Sequence, residues 1–462
     1  LSSRALVPLR DGGVVMLAAP LALLLGVMLA ARTSVGLAAT VALIYAPLIF
    51  FNLPLALILW VPLTFMTSLH FAWSGPAVIS VMLMAAWLGT LSATKGIRAA
   101  VIARQRFLAY TILLFLLWST LSLLWATDVT RGLEALVDWF VAAAIFLVIA
   151  TAITTARQIR LVLAAFVFGG VASVIIGFAT TGLHPAASAI ASASQAEGRL
   201  TGGSGDPNYL AAGLVASIVL ATALFATTRR LAARTWLGAA IVVLVAGLVA
   251  SESRGALLAS VGASIAAFVL FKRRRLAVGG LLLTLLTLAA LWLAADPSAL
   301  NRVTNFNGGG TGRSDLWKVA WRVAGHEPVL GVGIDNFVTQ ESRYVREPGV
   351  LTSVALIADK PHVVHNLYLQ SFTETGVVGF ALLTALLIAV LASGMKAAHR
   401  FDEYGQADLA TLARAVVIAQ LSIFIALFFL SDGSDERFWV LFGVSGALLG
   451  IAPRRLARTT AS

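Results

Sequence analysis

Residues 362–394 read HVVHNLYLQSFTETGVVGFALLTALLIAVLASG. From Thr373 onward the stretch is apolar for about 20 residues, the length of a helix that crosses a bilayer core of roughly 30 Å. Just ahead of that run stand His365 and Asn366, with Gln370 and Glu374 following at a helical spacing of four. The apolar half predicts a membrane-spanning helix. The polar half leaves two readings of His365: a reactive group at the mouth of that helix, or a helix-end residue satisfied at an interface.

The rest of the chain agrees with a membrane reading. Of 462 residues, 59% are apolar and 12% charged, and mean hydropathy is +0.92. Length alone would suggest several soluble domains, but apolar runs of near-spanning length recur throughout. The expected architecture is all-α: one polytopic transmembrane helical bundle over 1–462, with a large extracytoplasmic loop insertion at 296–372 that contains short helices. The runs are continuous and do not alternate, which argues against a β-barrel. There are no cysteines, so neither disulfides nor thiolate metal sites are available. The N-terminal apolar run lacks a small-residue cleavage site and reads as a retained anchor.

Candidate spans, taken as helices of about 20 residues, fall at 14–31, 34–51, 53–69, 77–93, 107–126, 132–152, 161–182, 208–227, 236–251, 255–271, 277–295, 373–394, 411–430 and 438–453. Twelve to fourteen helices are expected. Numbering the loops alternately sorts the basic residues. One side receives Arg4, Arg10, Lys95, Arg98, Arg104, Arg106, Arg157, Arg160, Arg229, Arg230, Arg234, Lys272–Arg275, Lys396, Arg400, Arg454, Arg455 and Arg458. The other receives Arg32, Arg131, Arg254 and Arg437 in its short loops. This is the positive-inside asymmetry, and it predicts both termini in the cytoplasm. It also accounts for the net charge of +12 through topology, without nucleic acid as a partner.

The polar motifs fall on the other, extracytoplasmic side. Arg199 lies in EGRLTGGSGDPNYLAAG, a turn-rich approach to a helix that Asp206 or Asn208 can cap. Arg254 lies in SESRGALLAS between two apolar runs, where Gly255 allows close backbone approach. An arginine there must pair, snorkel to headgroups or bind an anion. Arg313 lies in GGTGRSDLW, which lacks the Gly-Lys-Ser/Thr ending of a phosphate-binding Walker loop. GVGIDNF at 331–337 reads as turn-forming. In RSDLWKVAWRVAG, Leu316, Ala320 and Val323 share one stripe with Trp317 and Trp321 beside it. That helix can lie in the membrane interface or pack on the bundle top.

His365 has the side chain best suited to act as a general base near neutral pH. On a continuous helix over 364–380 it would share a stripe with Leu369 and Phe372, while Asn366, Gln370 and Glu374 form a second stripe. Glu374 is therefore out of phase with His365. Metal binding is not expected: His362 and His365 have no acidic partners at ligand spacing. The SDGSDER turn at 431–437 reads as a solvated loop or a weak cation site.

Four pieces of the chain, GRLTGGSGDPNYLA, SESRGALL, GRSDLWKVAWRVAGHEPVLGVGIDNF and HNLYLQSFTETGVVGF, occur in the order found in the O-antigen ligase and polymerase family of bacterial membrane glycosyltransferases, which they resemble. The resemblance covers about 195–380. The first piece departs from the shorter Gly-x-Phe-x-Asn-Pro-Asn turn expected there. The resemblance implies a metal-independent, cofactor-free transferase of the bacterial inner membrane, acting on its extracytoplasmic face. Its donor would be an undecaprenyl-diphosphate-linked glycan and its acceptor a lipid or glycan hydroxyl. It implies Arg199 and Arg254 as diphosphate-binding residues, with Arg313 a further candidate. It implies His365 as catalytic, with Asn366 and Glu374 in support, and the 296–372 loop as a lid.

Ligase and polymerase differ only in the acceptor, and no acceptor pocket is legible. The reading from another class is a lipid-linked oligosaccharide transporter or flippase. That reading calls for ionisable groups near the bilayer midplane, whereas the polar residues here gather at one edge.

Overall fold

The computed structural model describes residues 43, 45, 47–67, 75–90, 96, 99–181, 199–271, 313–347, 351 and 362–453. Their regular structure is helical. Helix α1 (Leu53–Trp60) runs into a 3-10 turn (Val61–Phe65), and α2 (Gly75–Gly89), α3 (Arg106–Leu121), α4 (Val129–Ala152) and α5 (Ala156–Thr181) follow. Then come α6 (Pro207–Thr227), α7 (Leu231–Ala250), α8 (Arg254–Leu270), α9 (Arg313–His326) and α10 (Phe337–Val345). The last three are α11 (Leu367–Glu403), α12 (Ala407–Ala426) and α13 (Glu436–Ile451).

Seven helices among the described residues are long and apolar enough to cross a membrane, so the chain is an all-α polytopic bundle. The predicted spans from 107–126 to 255–271 and from 373–394 to 438–453 each coincide with one of these helices or with α8 or α13. The 53–69 span is shorter than expected. It tightens into 3-10 geometry at Val61–Phe65, where Pro62 has no N–H for the α-helical ladder. The predicted spans 14–31 and 277–295, most of 34–51, the Lys272–Arg275 run and the loop portion 296–312 lie outside the described residues.

Helix α6 forms the centre. Asp206 caps it by accepting from the backbone N–H groups of Asn208 and Tyr209, and Pro207 occupies the first turn, where a missing N–H costs nothing. From Leu210 to Leu224 most of its side chains are buried, with α5, α7, α8 and α12 packed around it. Small residues set the closest approaches, as expected where lipid supplies no hydrophobic drive. A Cβ on Gly443 of α13 would come within 2.7 Å of Ile149 on α4, and one on Gly446 within 2.8 Å of Ala150. Buried amides tie helices together. Gln420 Nε2 of α12 donates to Leu441 O (2.9 Å) and Ser445 Oγ (2.8 Å) of α13. Leu113 and Leu117 of α3, Val242 of α7, Ile265 and Phe268 of α8 and Ile388 of α11 point outward, which is the surface a bilayer would cover.

The two ends of the bundle differ. At one, Arg104 Nη1 donates to the last carbonyls of α13, 3.2 Å to Leu449 O, and Arg160 reaches Thr227 Oγ1 (3.1 Å) and Asp408 (3.5 Å). Arg414 pairs with Asp402 there. At the other end lie the starts of α6, α8, α11 and α13, and above them a cap formed by α9 and α10. The predicted stripe Leu316, Ala320 and Val323 is buried, packed with Val319, Val332, Phe337, Tyr344 and Leu369. Helix α9 therefore lies on the first turns of α11. Trp317 donates its indole N–H to Val364 O (3.0 Å), whereas Trp321 is 61% exposed.

Helix α11 is broken at Gly376 (φ 67°, ψ −172°). The connection between α9 and α10 threads into the break and satisfies the freed backbone groups. Val332 N–H donates to Thr373 O (3.1 Å), Gly333 N–H to Glu374 O (2.8 Å), and Val377 N–H to Pro328 O (2.9 Å). Trp118 Nε1 of α3 donates to Thr375 O (2.8 Å). A broken helix at membrane depth is tolerable only when protein supplies these partners. The same connection holds α4: Asn336 Oδ1 accepts from Asp128 N–H (2.7 Å), and Arg131 pairs with Asp335 (2.8 Å).

Candidate active site

Arg199 lies just before the 3-10 turn that leads into α6. Its Nε donates to Ser251 O (2.9 Å), at the end of α7, and its Nη2 to Asn208 Oδ1 (3.0 Å). Asn208 Oδ1 also accepts from Ser253 Oγ (2.9 Å). Ser253 is the N-cap of α8, and Arg254 is that helix's first residue. Two separate sequence motifs thus meet at one amide. Gly255 behaves as expected, since a Cβ there would lie 3.0 Å from the Phe429 ring.

Arg313 opens α9. Burial lowers its pKa, and the Arg254 charge lowers it further, against the opposing influence of Asp206 and Tyr209. The Arg313 guanidinium therefore feels the charges of both Asp206, the cap of α6, and Arg254.

His365 departs from the helical stripe expected of it. Its φ is +54°, and α11 starts two residues later, at Leu367, because Asn366 is the N-cap and accepts from Leu369 N–H (3.1 Å). The loop consequently ends at Asn366, six residues earlier than the predicted 372. Left-handed backbone at a non-glycine residue costs roughly 1–2 kcal/mol and persists only where the surroundings hold it. Here His365 N–H donates to Ser431 Oγ (2.7 Å) and Leu367 N–H to Leu427 O (3.0 Å). Burial, then the Arg313 charge, push the imidazole pKa down to about 4, with His362 adding to the effect and Asp206 opposing it. His365 is thus neutral at pH 7 and electrostatically coupled to Arg313.

Hydrogen bonds bring the segments that carry these residues to one end of the bundle: Asn208 accepts from Arg199 and from Ser253 beside Arg254, Tyr209 accepts from Asp432 N–H, Ser431 accepts from His365 N–H, and Trp317 of α9 donates to Val364 O. Asn366 supports this group as a helix cap. Glu374 lies elsewhere. It is buried in the clasp at the helix break, where its Oε2 accepts from Asp335 N–H (2.9 Å) and its Oε1 from Gln370 Nε2 (3.1 Å). Of the expected Asn366–Gln370–Glu374 stripe, Gln370 and Glu374 pair along the helix, whereas Asn366 is the N-cap outside it.

Sequence reasoning passed over several contributors. Arg437, which the sequence places in a short loop, is 2% exposed in the first turn of α13. It pairs there with Asp435 and lies over the Phe65 ring at 5.5 Å. A buried guanidinium needs such a partner, so Asp435 is committed. Glu436 accepts from Ser80 Oγ (2.9 Å). The SDGSDER turn is thus occupied with structure, and among the described residues no group of three or more acidic or histidine side chains is placed to hold a metal ion. Asp206 was read as a helix cap; its closeness to Arg313 and His365 had no signal in the sequence. Ser431 and Tyr209 had none either.

Residues 239–384 match the family model described as O-antigen ligase, a segment that includes Arg254, Arg313, His365 and the whole cap. No curated protein matches the chain. With apolar helices of spanning length on both sides of the matched segment, the chain is a multi-pass membrane protein whose 239–384 segment is similar to the O-antigen ligase family.

Proposed function

We propose that the protein transfers a glycan from an undecaprenyl-diphosphate carrier to an acceptor hydroxyl on the extracytoplasmic face of the bacterial inner membrane. The observation that carries this reading is the set of hydrogen bonds that brings the segments of Arg199, Arg254, Arg313 and His365 to one end of the bundle. That end lies opposite Arg104, Arg160 and Arg414. The excess of basic residues on that opposite side supports a cytoplasmic location for it.

In the reaction, the acceptor oxygen bonds to the anomeric carbon and the bond from that carbon to the phosphate oxygen breaks. The electron pair leaves with the diphosphate, which gains about one unit of charge. Arg254 and Arg313, with Arg199 behind them, receive that charge. Guanidinium forks bind phosphate oxygens in pairs and stay ionised. Because charge grows where they point, they stabilise the transition state more than the bound donor. This arrangement supplies the neutralisation that a divalent cation gives elsewhere. His365 accepts the proton released by the acceptor, a contribution of about 10²–10⁴-fold. Donor binding assists, since an anion beside Arg313 offsets the charge that depresses the imidazole.

The test is a reconstituted assay with one undecaprenyl-diphosphate-linked glycan and two acceptors, core lipid and a second lipid-linked repeat unit. Glycan transfer to the core lipid is the expected outcome. Joining of repeat units would make the protein a polymerase. Normal turnover by His365→Ala would remove the base from the mechanism.

A further inference from the structure

The left-handed conformation of His365 is held from outside its own helix. Its N–H ends on Ser431 Oγ at 2.7 Å. The next residue, Asp432, donates its N–H to Tyr209 Oη at 3.0 Å. Tyr209 lies in the first turn of α6, adjacent to Asn208, which takes Arg199 Nη2 and Ser253 Oγ. A chain of hydrogen bonds and short backbone links therefore joins the imidazole residue to the arginines through the 431–432 turn. Nothing in the transfer chemistry requires Ser431 or Tyr209 as a reacting group. Their hydrogen bonds end on, or next to, a backbone with φ of +54°.

We propose that Ser431 and Tyr209 are positioning residues, which hold His365 in its left-handed conformation at the mouth of α11. The proposal rests on the reading of His365 as the base. Loss of the Ser431 hydroxyl frees the His365 N–H and lets the residue leave its strained well. The imidazole then moves relative to the acceptor, and a displacement of about 1 Å is enough to cost roughly 10²-fold in rate. The diphosphate site keeps its arginines, so donor binding is unaffected.

The experiment compares Ser431→Ala, Ser431→Thr, Tyr209→Phe and His365→Ala in the full-length protein. Turnover uses an undecaprenyl-diphosphate-linked glycan, and binding uses undecaprenyl diphosphate itself. Ser431→Ala and Tyr209→Phe are expected to lower kcat by about 10- to 100-fold, with donor KM and undecaprenyl diphosphate affinity within about twofold of wild type. Ser431→Thr, which keeps the hydroxyl, is expected to recover most of kcat. The acid limb of kcat/KM is expected to move upward in Ser431→Ala, because the imidazole leaves the field of Arg313. Unchanged kcat in both Ser431→Ala and Tyr209→Phe, beside an inactive His365→Ala, overturns the positioning role and leaves the base intact. Active His365→Ala overturns the base reading, and this proposal with it. A loss in Ser431→Ala that Ser431→Thr fails to recover also overturns it. Should Ser431→Ala not fold, Tyr209→Phe, which removes a single oxygen, decides the matter alone.

Discussion

A Cβ on Gly376 would lie 2.0 Å from the carbonyl oxygen of Val329, so the break in α11 and the connection between the cap helices fit each other atom against atom. The φ of +67° at Gly376 adds a second barrier to any side chain. Gly376→Ala is expected to cost about 3–5 kcal/mol through combined clash and backbone strain. Thermal unfolding in detergent measures it, and early proteolysis near 327–336 would show that the cap fails first.

Arg254→Lys and Arg313→Lys are each expected to lower kcat/KM by about 10- to 100-fold, since a point charge cannot reproduce a two-pronged contact. The same logic predicts that activity survives exhaustive chelation with EDTA. A loss restored by magnesium would hand the neutralising role to a cation.

Because burial and Arg313 hold the imidazole of His365 near 4, kcat/KM is expected to stay level as pH falls through 6.5. It should drop only as pH approaches about 4, where the protonated ring can no longer accept a proton. Bound donor counters the Arg313 charge, so the acid limb of kcat should lie above that of kcat/KM. Parallel pH profiles of the two constants check this. An acid limb of kcat/KM near 6.5 would place His365 outside the field of Arg313.

Glu341, in the cap, is 2% exposed. Its Oε1 accepts from His362 N–H (2.9 Å), and its Oε2 has no hydrogen-bond partner. Burial pushes its pKa up to about 7. The folded value is raised, so its contribution is fully present below about 4.5 and is lost as pH rises through about 7. The cap should loosen as pH rises from about 4.5 to about 7, by up to about 3 kcal/mol in all. Glu341→Gln, which keeps the acceptor and never ionises, should flatten that dependence in hydrogen exchange of residues 337–345.

The membrane helices were legible because apolar runs of spanning length are a local property, and basic residues mark their ends. Asp206 was legible as a cap for the same local reason. The arginine motifs at 199, 254 and 313 could be singled out one at a time. Their meeting could not, because it depends on Asn208 bridging two helix starts far apart in the chain. Glu374 misled for a related reason. Helical phase sets it apart from His365, its supporting role comes only from the family resemblance, and only the threaded connection shows that it is tied to Asp335. His365 looked helical because Asn366 and Gln370 continue the helical spacing, yet the cap falls on Asn366 and leaves the histidine outside.

Helices α6, α8, α9 and α11 all begin where the arginines gather, and the peptide dipoles of each add a partial positive charge at that end. Part of the electropositive field is therefore built into the main chain, where no side-chain substitution reaches it. A chain stripped of Arg254 and Arg313 together would retain a residual pull on anions, and its remaining affinity for undecaprenyl diphosphate would measure how much of that attraction the backbone supplies.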